Sequence, residues 1–305
     1  MNVTRRQHYI WRHYLEAWVR SGTVSVVRKD GTSFSTNPAN IGQERDFYRL
    51  PVISLEDEDF ARKIIDAPGA NPSLVRLNMG WLDAFAAPSR LRRLLEARSL
   101  TDDTLQKAIR DVEIQTEENL HSKIEGPAAR LLSYLRAGDS GFWSVDADAR
   151  DFAFFVSLQH LRTKAMRERV LNGTDRRLAG QVERTWPILR VAFATNIGWS
   201  LYADRARWEI RVLSATERLR FITGDQPVLN LLPPTGNEDD LALYYPVSPE
   251  KAALLQLRGA YSPIGSTDQI TDDMVEDLNR KVVEGIHEQA FGVDLPYLKR
   301  LMGGS

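Results

Sequence analysis

The chain has 305 residues, and 40 Lys and Arg against 41 Asp and Glu give it a formal net charge of −1. This balance provides no global field toward nucleic acid or anionic lipid, so net charge indicates neither partner. Cysteine is absent, which excludes disulfides, thiolate zinc ligands and a Cys nucleophile and fits a reducing cytoplasm. No 18-residue apolar run and no signal-peptide core occur, so we expect no membrane span and a cytoplasmic location.

The N-terminal part is predicted to be a helix, a hairpin and a loop. Apolar spacing favours a helix over residues 5–19. The segments TVSVV and TSFS flank Lys29-Asp30-Gly31, and Asp-Gly is typical of a tight hairpin turn. Residues 36–54 are rich in loop-forming residues.

Helical periodicity continues from about residue 56 to 197 and predicts a bundle of about six helices. Thr101-Asp102-Asp103 places a capping hydroxyl and acids at the start of one helix. Gly126-Pro127 is expected to interrupt that helix near its end, because Pro disfavours helical geometry in the residue before it. Asn172-Gly173 is expected to separate two later helices.

After residue 205 the period changes to two, as in Trp208, Ile210 and Val212, which predicts a half-buried strand. The segments RFIT, ALYYPV and AALLQL are predicted as three more strands, and Asp272-Asp273 as the start of a last helix reaching about residue 290. Because helices and strands are segregated, the predicted fold is α+β: a mainly helical bundle packed on a small antiparallel sheet that the N-terminal hairpin could join.

Three segments set polar side chains among large apolar ones. His8 shares a helical stripe with two tryptophans and a leucine. It is either a hydrogen-bonded core histidine or a general base or anion contact, since burial keeps its pKa near neutrality.

Gln159 and Arg162 share a stripe with two phenylalanines and a methionine. A buried guanidinium needs an acceptor. One interpretation is a structural clasp that ties the helical part to the β part through an ion pair of Arg162 with Glu125 or Asp225. The other is an anion-binding cleft in which Gln159 is the orienting donor.

Asp225 follows the apolar strand of FITGDQPV and precedes a rigid Pro. Carboxylates at strand ends are often catalytic or metal-binding, but Asp is also a standard turn residue. No Glu-x-Lys pair follows on the next strands, which weakens a magnesium-nuclease interpretation. Two Glu-x-x-His pairs have di-iron spacing, but a helical wheel turns Glu118 and Glu284 outward, so no metal site is predicted.

Several of these segments, in their order, resemble the bacterial domain-of-unknown-function family 4238. The similar segments are QHYIWRHYLEAW, the hairpin with DFYRLP, Ile124-Glu125, Gln159-x-x-Arg162-Thr163, FITGDQPV and YYPVSPE. Trp11 replaces a Pro common in the family, and Gly224 replaces the usual Ser. The resemblance runs nearly end to end and implies one integrated domain over 1–305, with parts 1–54, 55–204 and 205–305. It implies a bacterial origin and mobile-element or defence contexts, and no known reaction, cofactor or partner.

The leading hypothesis is an enzyme or ligand-binding domain with a cleft between its helical and β parts. In it, Arg162, Gln159 and Glu125 bind an anionic small molecule or phosphate group, and His8 and Asp225 act as acid and base in a hydrolytic or transfer reaction. The alternative is a non-enzymatic interaction protein in which these residues form a structural clasp. Nucleic-acid binding would need an arginine stripe, for which Arg90, Arg92 and Arg93 are the nearest candidate.

Overall fold

The computed structural model describes residues 3–232, 241–259, 264–265 and 270–303. The α-helices in these ranges are α1 (Arg12–Leu15), α2 (Leu55–Ile65), α3 (Pro72–Ala97), α4 (Asp103–Arg136), α5 (Asp146–Leu161), α6 (Lys164–Gly173), α7 (Ala179–Ala203), α8 (Asp272–Gly285) and α9 (Leu295–Leu301). The strands are β1 (Arg6–His8), β2 (Val24–Arg28), β3 (Ser33–Thr36), β4 (Gln43–Arg45), β5 (Trp208–Ser214), β6 (Thr223–Gly224), β7 (Leu229–Asn230), β8 (Ala242–Pro246), β9 (Lys251–Leu257) and β10 (Gln289–Gly292).

The helix predicted over residues 5–19 is wrong in its first half. Residues 6–8 form β1, which pairs antiparallel with β4, and α1 begins at Arg12. The buried Gln7 explains the difference, because its amide donates to Ile114 O (2.8 Å) and accepts from Tyr48 N (2.7 Å). These long-range bonds outweigh local helical periodicity.

The predicted bundle of six helices is confirmed as α2 to α7. A capping box begins α2, where Ser54 Oγ accepts from Asp57 N and Asp57 Oδ2 accepts from Ser54 N. The predicted start of α4 is also confirmed, although the cap is the Asp102 carboxylate, which accepts from the backbone N–H of Thr104 and Leu105.

The break predicted at Gly126-Pro127 is wrong, because α4 continues to Arg136 with Pro127 inside it. The buried residues that follow, Ala128, Leu131, Leu132 and Leu135, bind this part of the helix to the core. Burial of four apolar side chains is worth more than the backbone hydrogen bond and the strain that a Pro costs. The predicted boundary at Gly173 is confirmed as the end of α6.

The strands form two four-stranded antiparallel sheets and a two-stranded ribbon, with orders β3-β2-β10-β6, β5-β9-β8-β7 and β1-β4. The predicted hairpin is confirmed, with Gly31 at φ +85° in its turn. It joins the first sheet through β10, where Phe291 lies opposite Val26. The helix predicted from Asp272 to about residue 290 ends at Gly285, and it is not the last helix, because β10 and α9 follow it. Of the strand predicted at RFIT, only Thr223 belongs to β6.

The helices α5 and α7 lie at the centre of the fold. One hydrophobic core joins them to α2 and α3, and another joins α5 to the N-terminal segment, the end of α4 and the sheet of β5, β8 and β9. The C-terminal end of α5 therefore lies where α4, α7 and the N-terminal ribbon meet. Among the described helices, none is both long and apolar enough to cross a membrane.

Candidate functional site

Arg162 caps the C-terminus of α5, and its side chain is fully buried. Its Nη1 donates to Glu125 Oε1 (2.7 Å) and lies 3.2 Å from His121 Nδ1. Within the described ranges, Nε and Nη2 have no hydrogen-bond partner. These two nitrogens form the edge of a guanidinium that binds a carboxylate or phosphate through two parallel hydrogen bonds.

A second arginine lies next to this pair. Arg190 Nη2 on α7 donates to the buried Glu117 Oε1, which also lies 3.2 Å from His121 Nε2. The His121 ring packs on Tyr48 at 4.4 Å between ring centroids. Burial lowers the pKa of His121 to about 4, so the imidazole is neutral at neutral pH and joins the two ion pairs without adding a third charge.

Glu117, His121 and Arg190 are not among the residues predicted from the sequence, because the apolar periodicity of α4 predicts the wrong face for burial. Val112, which lies on the face that this periodicity places in the core, is 46% exposed, whereas Glu117 and His121 are buried. Glu113, Glu117 and His121 recur at every fourth residue and so form one polar stripe. That spacing is visible in the sequence. The spacing alone does not predict burial, because carboxylates are seldom buried unless they are paired, and the arginines that pair with these carboxylates lie on other elements.

His8 and Gln159 lie near Arg162 without hydrogen-bonding to it. Burial is the main cause that lowers the pKa of the half-buried His8, and the charges of Arg12 and Arg162 act in the same direction. The buried Gln159 lies three residues before Arg162, one turn away on α5. Neither His8 Nε2 nor Gln159 Nε2 has a partner in the part of the chain that the structure describes.

Asp225 is not the ion-pair partner of Arg162, and its carboxylate is bound by the backbone instead. Its Oδ1 accepts from His287 N (2.7 Å), and its Oδ2 accepts from Glu288 N (2.7 Å) and Gln289 N (3.0 Å). Burial raises the pKa of this carboxyl, and the three N–H groups oppose the rise. Asp225 thus holds the connection between α8 and β10 against β6.

A cleft of about 740 Å³ opens beside the buried pairs, between the segment after β4 and helices α6 and α7. Of the five predicted site residues, Arg162 belongs to its wall, with its side chain buried behind the surface. Seven Lys and Arg residues and four Asp and Glu residues are among the lining residues, so cationic side chains outnumber acidic ones in the lining, and the carboxylates that pair with four of the arginines lie behind it. The lining cations are Arg45, Arg49, Arg162, Lys164, Arg167, Arg184 and Arg190.

Buried carboxylates hold three of these arginines from behind. Arg184 donates to both oxygens of Asp57 (2.9 and 2.8 Å). Arg49 lies 3.3 Å from Glu113, and Arg190 pairs with Glu117. Each carboxylate has almost no exposed surface, whereas Arg184 and Arg49 remain 45% and 49% exposed. Their guanidinium groups are therefore oriented in advance and keep donors that face solvent.

A metal-binding arrangement is not found in the described ranges, where no three His, Asp or Glu side chains are grouped so that they could hold an ion. The Glu284 side chain is exposed, as predicted from the wheel, and α8 ends before His287. His287 instead pairs with Glu168 (3.0 Å) at the cleft.

Together, the fold and the site define an α+β protein in which a buried ion-pair network lies against a basic cleft. The chain belongs to the family described as "Protein of unknown function (DUF4238)", whose model matches residues 6–292. The resemblance inferred from the sequence is thereby confirmed. Neither the comparison with curated proteins nor that with solved structures found a significant match.

Proposed function

We propose that this protein binds an anionic ligand in the cleft between the N-terminal segment and helices α6 and α7. The observation that supports the proposal is the excess of cationic over acidic side chains in the cleft, seven against four, on a chain of net charge −1. Low-dielectric walls focus the field of the charges that line a cleft, so an excess of cationic side chains in the lining favours anions. Its volume of about 740 Å³ falls within the range of small-molecule sites.

The orientation of the arginines supports the proposal further. Exposed arginines lose side-chain entropy when they bind a ligand, and this loss weakens binding. In the cleft, Asp57 and Glu113 already fix Arg184 and Arg49. Binding then requires less ordering, and each guanidinium still has free N–H groups for a carboxylate or phosphate.

Of the residues predicted to bind the anion, Arg162 belongs to the wall of the cleft, and in this proposal Gln159 and Glu125 act from behind it. Glu125 fixes Arg162 through Nη1 and leaves the Nε–Nη2 edge for an anionic group, with the Gln159 amide one turn away. Because the Arg162 side chain is covered, direct contact with a ligand requires the covering side chains to move. If they do not move, Arg162 acts on the ligand through the electrostatic field of its charge.

Acid–base chemistry has weaker support. His8 has a lowered pKa and is neutral at neutral pH, so it is able to accept a proton, and its role as a base in a hydrolytic or transfer reaction stays part of the proposal. Asp225 is left out, because three backbone N–H groups occupy both of its carboxylate oxygens. The lack of cysteine fits the reducing cytoplasm, which we propose as the location.

The rival proposal is an interaction protein, with the mobile-element or defence association that the resemblance implies. The observation that favours it is the pairing of Arg162 with Glu125 and His121, which joins α5 to α4 as a clasp would. In that case the ion pairs fix helix packing and the cleft has no small ligand.

Thermal melting and calorimetric titration with orthophosphate and citrate, at constant ionic strength, test the proposal. Binding to the native state should raise the melting temperature as the anion concentration increases. Arg49→Gln should reduce this rise without destabilising the fold, since Arg92 still pairs with Glu113 at 2.6 Å. Arg20→Gln is the matched control, because it removes an exposed arginine that is not among the lining residues of the cleft.

Two results would contradict the proposal. Wild-type protein that shows no heat of binding and no thermal shift with either anion would refute it. An Arg49→Gln variant that binds both anions as tightly as the Arg20→Gln control would move the site away from the cleft. A large loss of stability in Arg162→Lys without any anion binding would favour the structural clasp.

A further inference from the structure

The cationic residues that line the cleft come from several elements of the fold. Arg184 and Arg190 are six residues apart on α7, which is about 9 Å along a helix axis at about 1.5 Å per residue. Arg167 lines the cleft from α6, and Arg49 from the segment after β4. A single phosphate or carboxylate group has too few oxygens to contact all of these side chains, so we expect it to engage one or two of them.

The exposed arginines are also suited to phosphate. Arg184, Arg49 and Arg167 are each about half exposed, and each has one edge held by a carboxylate: Asp57, Glu113 and Glu183. The opposite N–H groups remain available, and planar guanidinium forks bind phosphate oxygens through two hydrogen bonds. Successive phosphates in a chain would place such oxygens beside more than one of these three arginines.

We infer that the cleft binds a small ligand carrying two or more linked phosphates, either a free oligophosphate or a nucleoside di- or triphosphate. This inference rests on the proposed function, because it names the ligand class of the same cleft. A long nucleic acid fits less well, since its many phosphates would extend beyond a cleft of about 740 Å³ onto a protein of net charge −1.

Isothermal titration with orthophosphate, pyrophosphate, inorganic triphosphate, ATP and citrate tests the inference. Affinity should increase with each added phosphate, and triphosphate should bind at least about tenfold more tightly than orthophosphate. If inorganic triphosphate and ATP bind equally, the ligand is read as an oligophosphate. If ATP binds more tightly, it is read as a nucleotide. Either result supports the inference.

The exposed pair of Arg167 and Glu183 offers two opposite substitutions at one place. Arg167→Gln should weaken triphosphate binding about fivefold, and Glu183→Gln should strengthen it by a similar factor. Both side chains are about half exposed, so neither change should unfold the protein. Arg177→Gln is the control, because it removes an arginine that is 88% exposed and does not line the cleft.

Triphosphate that binds no more tightly than orthophosphate, or no more tightly than citrate, would overturn the inference and leave anion binding in place. Binding of a single-stranded oligonucleotide without any binding of triphosphate would also overturn it, in favour of a nucleic-acid surface. If none of the five anions binds, the proposed function fails, and this inference fails with it.

Discussion

Replacing Asp225 by Asn separates a structural role of this carboxylate from the catalytic role that its sequence context suggests. Oδ1 accepts from His287 N, whereas Oδ2 accepts from Glu288 N and Gln289 N. Asn has one acceptor oxygen, so in any orientation its NH2 group faces at least one backbone N–H and that bond is lost. The remaining bonds change from charge-assisted to neutral, which roughly halves their strength.

The magnitude follows from the number of bonds. A hydrogen bond to a charged group contributes about 1.5–3 kcal/mol, and a neutral one about 1 kcal/mol. Losing one and halving two removes about 3–6 kcal/mol. Asn carries no buried charge, so the burial penalty that raises the pKa of Asp225 is absent, and we expect a net loss of about 2–4 kcal/mol in the free energy of unfolding of Asp225→Asn. That is a large share of the roughly 5–15 kcal/mol that stabilises a typical protein. Urea denaturation followed by circular dichroism at pH 7 measures the change.

The matched control is Asp30→Asn. Asp30 also accepts a backbone N–H, from Thr32 at 2.8 Å, but in an exposed hairpin turn. There water replaces the lost interaction, and the stability should hardly change. If Asp225→Asn is as stable as this control, the three backbone bonds do not hold the α8–β10 connection, and the catalytic interpretation of Asp225 returns.

Two further predictions concern other buried positions. Gly224→Ala should cost about 1–3 kcal/mol of stability by overpacking, since a Cβ at this residue would lie 2.2 Å from Ile286 Cγ2. In urea denaturation, the double variant Gly224→Ala/Ile286→Ala should lose less unfolding free energy than the sum of the losses in the two single variants. Strict additivity of the two losses would contradict the clash. Burial raises the pKa of Glu118 to about 7 from its usual 4.5, so the folded state holds this proton while the unfolded state loses it, and stability falls as pH rises from about 4.5 to 7. Glu118→Gln should therefore be more stable than wild type at pH 8, by about 1–2 kcal/mol after discounting for partial exposure, and no more stable at pH 4. An equal difference at both pH values would argue against titration of this carboxyl.

The segregation of helices and strands could be predicted because it depends on local periodicity. The six-helix bundle, the hairpin at Asp30-Gly31 and the strands β5, β8 and β9 all follow from patterns within about 15 residues. The errors arose where distant residues decide. Gln7 is in a strand because its amide bonds to Ile114 and Tyr48, and Pro127 stays within α4 because the following leucines are buried.

Only part of the candidate site could be predicted from the sequence, because only part of it depends on local periodicity. Arg162 can be identified from the sequence because a charged residue on an apolar stripe needs a partner, and Glu125 is one of two predicted acceptors for its guanidinium. Choosing between Glu125 and Asp225 depends on how α4 is rotated, and its rotation is decided by contacts with α3 and α5. The cleft arginines carry no local signal, because an arginine with a buried carboxylate on another helix has the same sequence context as a solvated one.

The clasp and the anion site do not exclude each other at Arg162. A guanidinium has five N–H donors, and the two edges of Arg162 have different surroundings: Nη1 contacts Glu125 and His121, whereas Nε and Nη2 contact no acceptor among the described residues. The first edge joins α5 to α4, and the second has buried N–H donors that bind no acceptor among the described residues. The same division occurs at Arg184 and Arg49, whose inner edges bind Asp57 and Glu113 while their outer donors face the cleft. An arginine held in this way stabilises the helix packing and, because it is already ordered, costs little further entropy when an anion binds.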